Sequence, residues 1–331
     1  MTNKIKAVLV SDVHVSLSTR EVSLPALQAA LSFAEENKVP LIIAGDLHDT
    51  KAILRGECVN LLLNVFKNAK TPVKLLVGNH DKLSEKGEGN SLEFLRPFVD
   101  LIDQPKYDEQ LQLGFIPYQS SNEKFIEALS LFKSGSTLIV HQGFMGAYMG
   151  EYVKDESSVK PELVKPFKVI SGHYHKHQKL GTVTYIGSPY TVTFTEANDG
   201  PKGFLALFEG NTFEQIPLNL RKHVIYELDV KDLGTYQFNR HKDKDLVWLK
   251  LSGNSLDLDK VNKNKLIKEK FNSVSLKVDK IYTDQPKSRV DLSNKSKDTI
   301  LDIFIEADES LNQDQKKLIK QLYLDILNEN S

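Results

Sequence analysis

The stretch Leu41-Ile42-Ile43-Ala44-Gly45-Asp46-Leu47-His48-Asp49 is an apolar run that stops at a glycine and a carboxylate. Four other stretches repeat this construction, and the repetition constrains the fold more than any other feature. They are Val8-Leu9-Val10-Ser11-Asp12-Val13-His14, Leu75-Leu76-Val77-Gly78-Asn79-His80-Asp81, Leu138-Ile139-Val140-His141 and Val169-Ile170-Ser171-Gly172-His173-Tyr174-His175. Short apolar runs bounded by turn residues read as buried strands. In open α/β sheets ligands bind outside the carboxyl ends of the strands, so five such ends can converge on one locus. Residues i and i+2 of an extended segment lie on the same side, so Asp12 with His14, and His173 with His175, can each present two groups there.

The donors at these ends are Asp, Asn and His, with no thiolate among them. Carboxylate and amide oxygens suit hard divalent cations and imidazole suits transition metals, so the mixed set points to Mn²⁺ ahead of Fe, Zn or Mg²⁺. Each piece alone has a structural explanation. Asp-x-His after a strand is usually structural, and Asn79-His80-Asp81 alone could be a turn closed by Asx hydrogen bonds. Five strand ends in one order, all with compatible ligands, are hard to explain that way. His177 reads as a solvated loop residue, His223 and His241 as structural, and Trp248 as core. The lysines at 260, 263, 265, 268 and 270 read as a solvated helix face, although they could contact phosphates.

The alternation of strands and helices over the first 80 residues predicts βαβ units. Strands at 5–10, 41–44 and 73–77 are separated by helices carrying Leu24, Leu27, Leu31 and Ala34, then Leu54, Cys58, Leu61, Val65 and Ala69. The polar run 82–90, with Gly87 and Gly89, predicts a mobile loop beside the site. A strand at 111–116, a helix at 123–132 and strands at 137–140 and 168–170 come next, with 143–160 read as a surface excursion. From Gly181 strands come without long helices between them, and a boundary is placed near Arg221. The expected division is 1–221 as the main domain, 222–290 as a small α/β capping domain (a helix at 258–270, a strand at 274–282), and 291–331 as a pair of helices. That pair, 298–306 and 313–327, presents a wide apolar face of Leu318, Ile319, Leu322, Tyr323 and Ile326, which it cannot bury by itself.

Bulk properties exclude some classes. The net charge of −1 gives no global attraction to a polyanion, so contact with nucleic acid must come from a local patch. Residues 201–300 carry a net +5 and residues 301–331 a net −4. Cys58 is the only cysteine, which excludes an internal disulfide and agrees with a reducing compartment. No segment approaches the ~20 apolar residues of a membrane span, so a cytoplasmic protein is expected.

The ordered set Asp12-x-His14, Gly45-Asp46, Gly78-Asn79-His80-Asp81, His141 and Gly172-His173-x-His175 resembles the signature of the calcineurin-like metallophosphoesterases. The resemblance implies a four-layer α/β/β/α sandwich and two divalent ions, Mn²⁺ or alternatively Mg²⁺. It implies that Asp12, His14, Asp46 and His175 hold one ion, and that Asp46, as bridge, with Asn79, His141 and His173 holds the other. His80 would stay free of metal and protonate the leaving alkoxide, and Asp49 would orient a histidine ligand.

Gly45-Asp46-Leu47-His48-Asp49-Thr50, Gly187-Ser188-Pro189-Tyr190 and Gly203-Phe204 resemble the nuclease subunit of SbcCD-type complexes, with no arginine after Asp49 as phosphoprotein phosphatases have. His48 departs from that subgroup, which more often has an apolar or aromatic residue there. This likeness implies a DNA substrate, 3′ to 5′ double-strand exonuclease and single-strand endonuclease activity, a homodimer, and an SbcC-like SMC-type ATPase gripped by the terminal helices. The compact chain fits a phage member. The alternatives are a phosphodiesterase of small molecules or another phosphoester, and a scaffold that has lost its metals.

Overall fold

The computed structural model describes residues 4–283, except 50, 52, 85–88, 152, 240, 242–243, 262–266, 268–270 and 272–273, together with 315–317 and 319. In chain order the elements are β1 (Ile5–Val10), α1 (Arg20–Glu36), β2 (Leu41–Ile43), α2 (Gly56–Lys67), β3 (Val73–Leu76), β4 (Asp100–Ile102), β5 (Lys106–Asp108) and β6 (Leu113–Ile116). Then come α3 (Asn122–Leu129), β7 (Thr137–His141), β8 (Lys168–Gly172), β9 (Gln178–Leu180), β10 (Val183–Tyr185), β11 (Gly203–Phe208) and β12 (Phe213–Pro217). The last are β13 (His223–Asp229), β14 (Leu246–Gly253), α4 (Ser255–Asp259) and β15 (Ser275–Tyr282).

Two six-stranded sheets form the body, in the orders β12-β11-β1-β2-β3-β4 and β5-β6-β7-β8-β10-β9. Strands β1 to β4 are mutually parallel, as are β6, β7, β8 and β10, while the flanking strands run antiparallel. Strand alternation sorts side chains into layers. Val8, Val10, Leu41, Ile43 and Leu75 join one core with Leu27, Leu31, Leu62 and Phe66 of α1 and α2. Their neighbours Ala7, Leu9, Ile42 and Leu76 meet Phe115, Ile139 and Ile170 of the second sheet in an inter-sheet core. Leu138, Val140 and Val169 face outward onto Phe125, Ala128 and Leu129 of α3. The result is helix, sheet, sheet, helix. Each fully buried aliphatic side chain contributes roughly 1.5–3 kcal/mol to this packing.

Two local expectations change within the two-sheet body. The buried stripe of α2 is Cys58, Leu62 and Phe66 at i, i+4, i+8, with Leu61 only partly covered, because the helix turns its one large aromatic inward. Residues 143–160 do not simply pass over the surface: Phe144, Ala147 and Val159 are fully buried against α3, and Phe144 bridges Val159. The Asp155 carboxylate, also buried, accepts the Tyr174 hydroxyl and the Ser157 and Ser158 amides.

Beyond Pro217 a parallel three-stranded sheet, β13-β14-β15, carries its own core on one face: Tyr226, Val247, Leu249, Leu251 and Leu258. Trp248 points to the other face, where its ring lies against Phe194 and beneath the Lys250 and Lys277 ammonium groups, so it is not core. Where a helix is expected at 258–270, α4 covers Ser255–Asp259, its first turn closed by the Asn254 side chain accepting the Asp257 amide, and residues 262–266 and 268–270 lie outside the described residues. The paired terminal helices lie outside the described residues apart from a helical fragment at 315–317 and 319, as do residues 85–88 of the expected loop. Among the described residues no helix is long and apolar enough to cross a membrane.

Candidate metal centre

Register brings the strand ends together. Val10 pairs Ile43, Ile43 pairs Leu75, and on the second sheet His141 pairs Gly172, so each sheet ends its central strands at a common edge. Beyond β1 and β2 the two loops stay zipped: Asp12 N donates to Gly45 O (3.1 Å), His14 N to Asp46 O (3.0 Å) and Val15 N to Leu47 O (2.9 Å). To keep those bonds while aiming side chains inward, Asp12, His14 and Asp46 adopt left-handed φ values of 54°, 46° and 52°, and His173 one of 94°. Such backbone is costly for non-glycine residues, although Asp and His tolerate it best, and it persists only where the surroundings hold it.

Asp81 supplies much of that hold. Its buried carboxylate accepts the amides of Asp46 (2.9 Å), His48 (3.0 Å) and Gly78 (2.8 Å), clamping the second and third strand ends to each other. Gly78 permits the approach, since a Cβ there would overlap the Asp46 side chain and backbone nitrogen. Asp46 Oδ1 in turn accepts the His80 amide at 2.8 Å, leaving Oδ2 to face the site.

That oxygen lies 3.3 Å from His141 Nε2 and 3.9 Å from His14 Nε2. On one side, His14 Nε2 faces His175 Nε2 at 3.0 Å, and Asp12, His14 and His175 form a trio able to hold a cation. On the other, Asn79 Oδ1 is 3.0 Å from His141 Nε2 and 2.8 Å from His173 Nδ1. The structure thus brings together all seven residues singled out as ligands. His80 stands beside them, in a further trio with His14 and Asp46. Its Nδ1 meets the Asp49 carbonyl at 2.6 Å, so Nε2 is the ring atom left to work in the site. The Asp49 carboxylate is 3.4 Å from His14 Nδ1. His177 lies apart, half-buried, with its Nδ1 3.2 Å from Ile186 O.

Electrostatics agree with a cation site. Burial alone would raise the Asp46 pKa, yet the charge and hydrogen bond of His141, with His14 and His80, hold it well below the usual carboxylate range. Burial opposes protonation of His141, but the Asp46 charge wins and lifts it to about 9. His173 is pushed down to about 4 by burial and by the positive charge of His141. Burial and the Asp46 charge push Asp81 up to about 6. Buried carboxylates here hold protons on imidazoles, and a divalent cation can take the place of those protons. Two imidazole nitrogens 3.0 Å apart can share at most one proton, so the pair is better matched to a metal ion than to a hydrogen bond. The oxygen and nitrogen donors, without sulfur, fit first-row divalent cations.

Sequence reasoning missed the support behind His175. Its Nδ1 lies 2.9 Å from Glu196 Oε1, and the other carboxylate oxygen accepts Lys202 Nζ (2.9 Å), Ser188 Oγ (3.2 Å) and the Val192 amide (3.1 Å). Lys202, almost buried, also donates to His175 O and Asp199. Burial opposes ionisation of Glu196, but the hydrogen bond and charge of His175 and the Lys202 charge hold it down to about 2. Tyr118, also missed, stacks on His173 with ring centroids 6.2 Å apart. Glu196 sits in no strand-end motif, Tyr118 follows the end of β6 but with no metal-ligating residue type beside it, and Lys202 stands beside the quoted Gly203-Phe204.

The family model for calcineurin-like phosphoesterases matches residues 5–206. Exonuclease subunit 1 of Enterobacteria phage T4 is 26% identical over 220 residues, an alignment covering 62% of this chain and 63% of that protein. The chain therefore spans somewhat less than two thirds of that curated relative. A solved archaeal phosphodiesterase aligns over 65% of this chain and 100% of its own at 17% identity, with a TM-score of 0.35. With the family model running from β1 into β11 and so taking in every strand end of the Asp, Asn and His cluster, the chain belongs to the calcineurin-like phosphoesterases, hydrolases that work with divalent metals.

Proposed function

We propose that the protein is the nuclease subunit of a DNA-end-processing complex and hydrolyses phosphodiesters with two divalent cations, Mn²⁺ by preference. The carrying observation is Asp46 Oδ2, set between His141 Nε2 and His14 Nε2 as a shared carboxylate. Asp12, His14, Asp46 and His175 would hold one ion, and Asp46, Asn79, His141 and His173 the other. Ions so held supply Lewis acidity to water and to the phosphoryl oxygens. Asp49 fixes His14 from its carboxylate and His80 from its carbonyl. With Nδ1 engaged there, His80 carries its transferable proton on Nε2 and gives it to the departing sugar oxygen.

Support for DNA comes from the phage relative's description as an exonuclease, and support for a partner from its description as a subunit. On this reading residues 1–221 form the nuclease domain, 222–290 a capping domain that contacts DNA, and 291–331 the segment that grips an SbcC-like SMC-type ATPase. The working assembly is a homodimer carrying two ATPase subunits. It digests double strands 3′ to 5′ and cuts single strands internally in the host cytoplasm.

The test is hydrolysis of linear DNA in Mn²⁺ set beside bis(p-nitrophenyl) phosphate and a cyclic nucleotide. DNA should be turned over most efficiently, and His80→Ala should abolish cutting while DNA and metal binding remain. Preference for the small diesters would reassign the substrate, and normal cutting by the variant would remove His80 from its role.

A further inference from the structure

A cavity of about 660 Å³ opens on the far side of the Glu196 and Lys202 support, between the turn at 189–191, the loop at 197–202 and the 217–223 connection into the three-stranded sheet. Its volume falls within the roughly 300–1,000 Å³ of small-molecule sites. No carboxylate lines it, yet Lys202, Arg221, Lys222 and His223 do. Lys202 is committed: its ammonium serves His175 O, Ser188, Glu196 and Asp199.

Arg221 is not committed. Its Nε is buried without a hydrogen-bond partner among the described residues. A buried donor left unpaired is costly, so such a group in a cavity wall marks a place where an acceptor belongs. Guanidinium presents a planar fork that matches phosphate, and here Lys222 stands beside it in sequence at the exposed rim. Thr191, Asn198 and Asn219 add polar groups to the wall, and Pro189, Pro217, Leu218 and Leu220 supply its apolar part.

We propose that this cavity is a second anion site that takes a nucleotide, its phosphate on Arg221 and its nucleoside against the proline and leucine wall. The phosphate half rests on the wall itself; the nucleoside half rests on the nuclease reading. The nucleotide can come from the DNA strand or from the released product, and the two share this chemistry.

Isothermal titration of the full chain in chelator, where the metal chemistry is silent, tests the site with four probes: deoxyadenosine monophosphate, deoxyadenosine, inorganic phosphate and a single-stranded hexanucleotide. The monophosphate should bind, and Arg221→Ala should weaken it about tenfold or more, the loss of one charge-assisted contact. His80→Ala should leave that affinity unchanged. Deoxyadenosine and inorganic phosphate should each bind at least about tenfold more weakly than the monophosphate. Tighter hexanucleotide binding, equally dependent on Arg221, identifies the strand as occupant; tighter monophosphate binding identifies the product.

Absent binding, or affinity indifferent to Arg221→Ala, overturns the site. Inorganic phosphate binding as tightly as the monophosphate overturns its nucleotide character, whatever the outcome of the DNA cleavage assay. Should Arg221→Ala lower the melting temperature so far that it cannot be titrated, Lys222→Glu at the rim replaces it, with the same weakening expected.

Discussion

Replacing Glu196 by glutamine separates a structural brace from a support of the metal site. The carboxylate joins His175 Nδ1 (2.9 Å), Lys202 Nζ (2.9 Å), Ser188 Oγ (3.2 Å) and the Val192 amide (3.1 Å). A carboxamide of the same shape keeps one acceptor oxygen, so it cannot serve both His175 and Lys202. The depression of the Glu196 pKa from 4.5 to about 2 measures what the ionised form gains, about 3 kcal/mol at roughly 1.4 kcal/mol per unit. Because the folded pKa is depressed, that stability is present above pH 4.5 and is lost as pH falls through about 2.

At neutral pH Glu196→Gln forfeits that contribution and leaves the Lys202 ammonium with Asp199 as its remaining carboxylate, so a loss of about 3 kcal/mol is expected in denaturant unfolding. Mn²⁺ affinity should fall about 10–100-fold, the usual effect of removing the group that orients a histidine ligand. Both are read on one preparation, by urea titration and by calorimetry with Mn²⁺. A stability loss with unchanged Mn²⁺ affinity would refute the link between Glu196 and the metal site; unchanged stability would refute the buried ion pair itself.

Four more outcomes are expected. Because His141 is raised to about 9 and must be neutral to bind a cation, Mn²⁺ affinity should climb about tenfold per pH unit up to that value; a flat profile would exclude the proton exchange. In the metal-free protein the His141 contribution to stability runs the opposite way: present below pH 6.5, it is lost as pH rises through about 9. Gly78→Ala should cost about 1–3 kcal/mol and weaken Mn²⁺ binding, since the new methyl meets Asp46; unchanged unfolding and titration curves would contradict the close approach. With free Mn²⁺ held at 1,000 times its dissociation constant, stripping it should remove about 4 kcal/mol for each ion bound, seen as a lower melting temperature that Mn²⁺ restores.

The layered architecture is legible in the chain because strand alternation is written locally: Leu41 and Ile43 against Ile42 is enough to show a strand covered on both faces. The gathering of Asp12, Asp46, Asn79, His141 and His175 can be anticipated because each ends an apolar run, and parallel register does the rest. Contacts that depend on three-dimensional closeness alone leave no local mark. Glu196 lies 21 residues from His175 in a short 3₁₀ turn, and nothing in its neighbours announces the contact. Trp248 defeats the core expectation because an aromatic in a strand reads as buried until the register shows which face it takes. Asp81 reads in the sequence only as part of a motif, while its grip on three amides depends on φ angles that a sequence does not display.

The division of labour within β2 has an evolutionary corollary. Ile42 packs between the sheets, Ile43 packs under the helices, and three residues later the same backbone delivers Asp46. One codon inserted into that strand would invert its faces and rotate the carboxylate away in the same stroke. Length variation among descendants of this gene should therefore accumulate in the hairpins and connections, and natural insertions within the first three parallel strands should be almost unknown.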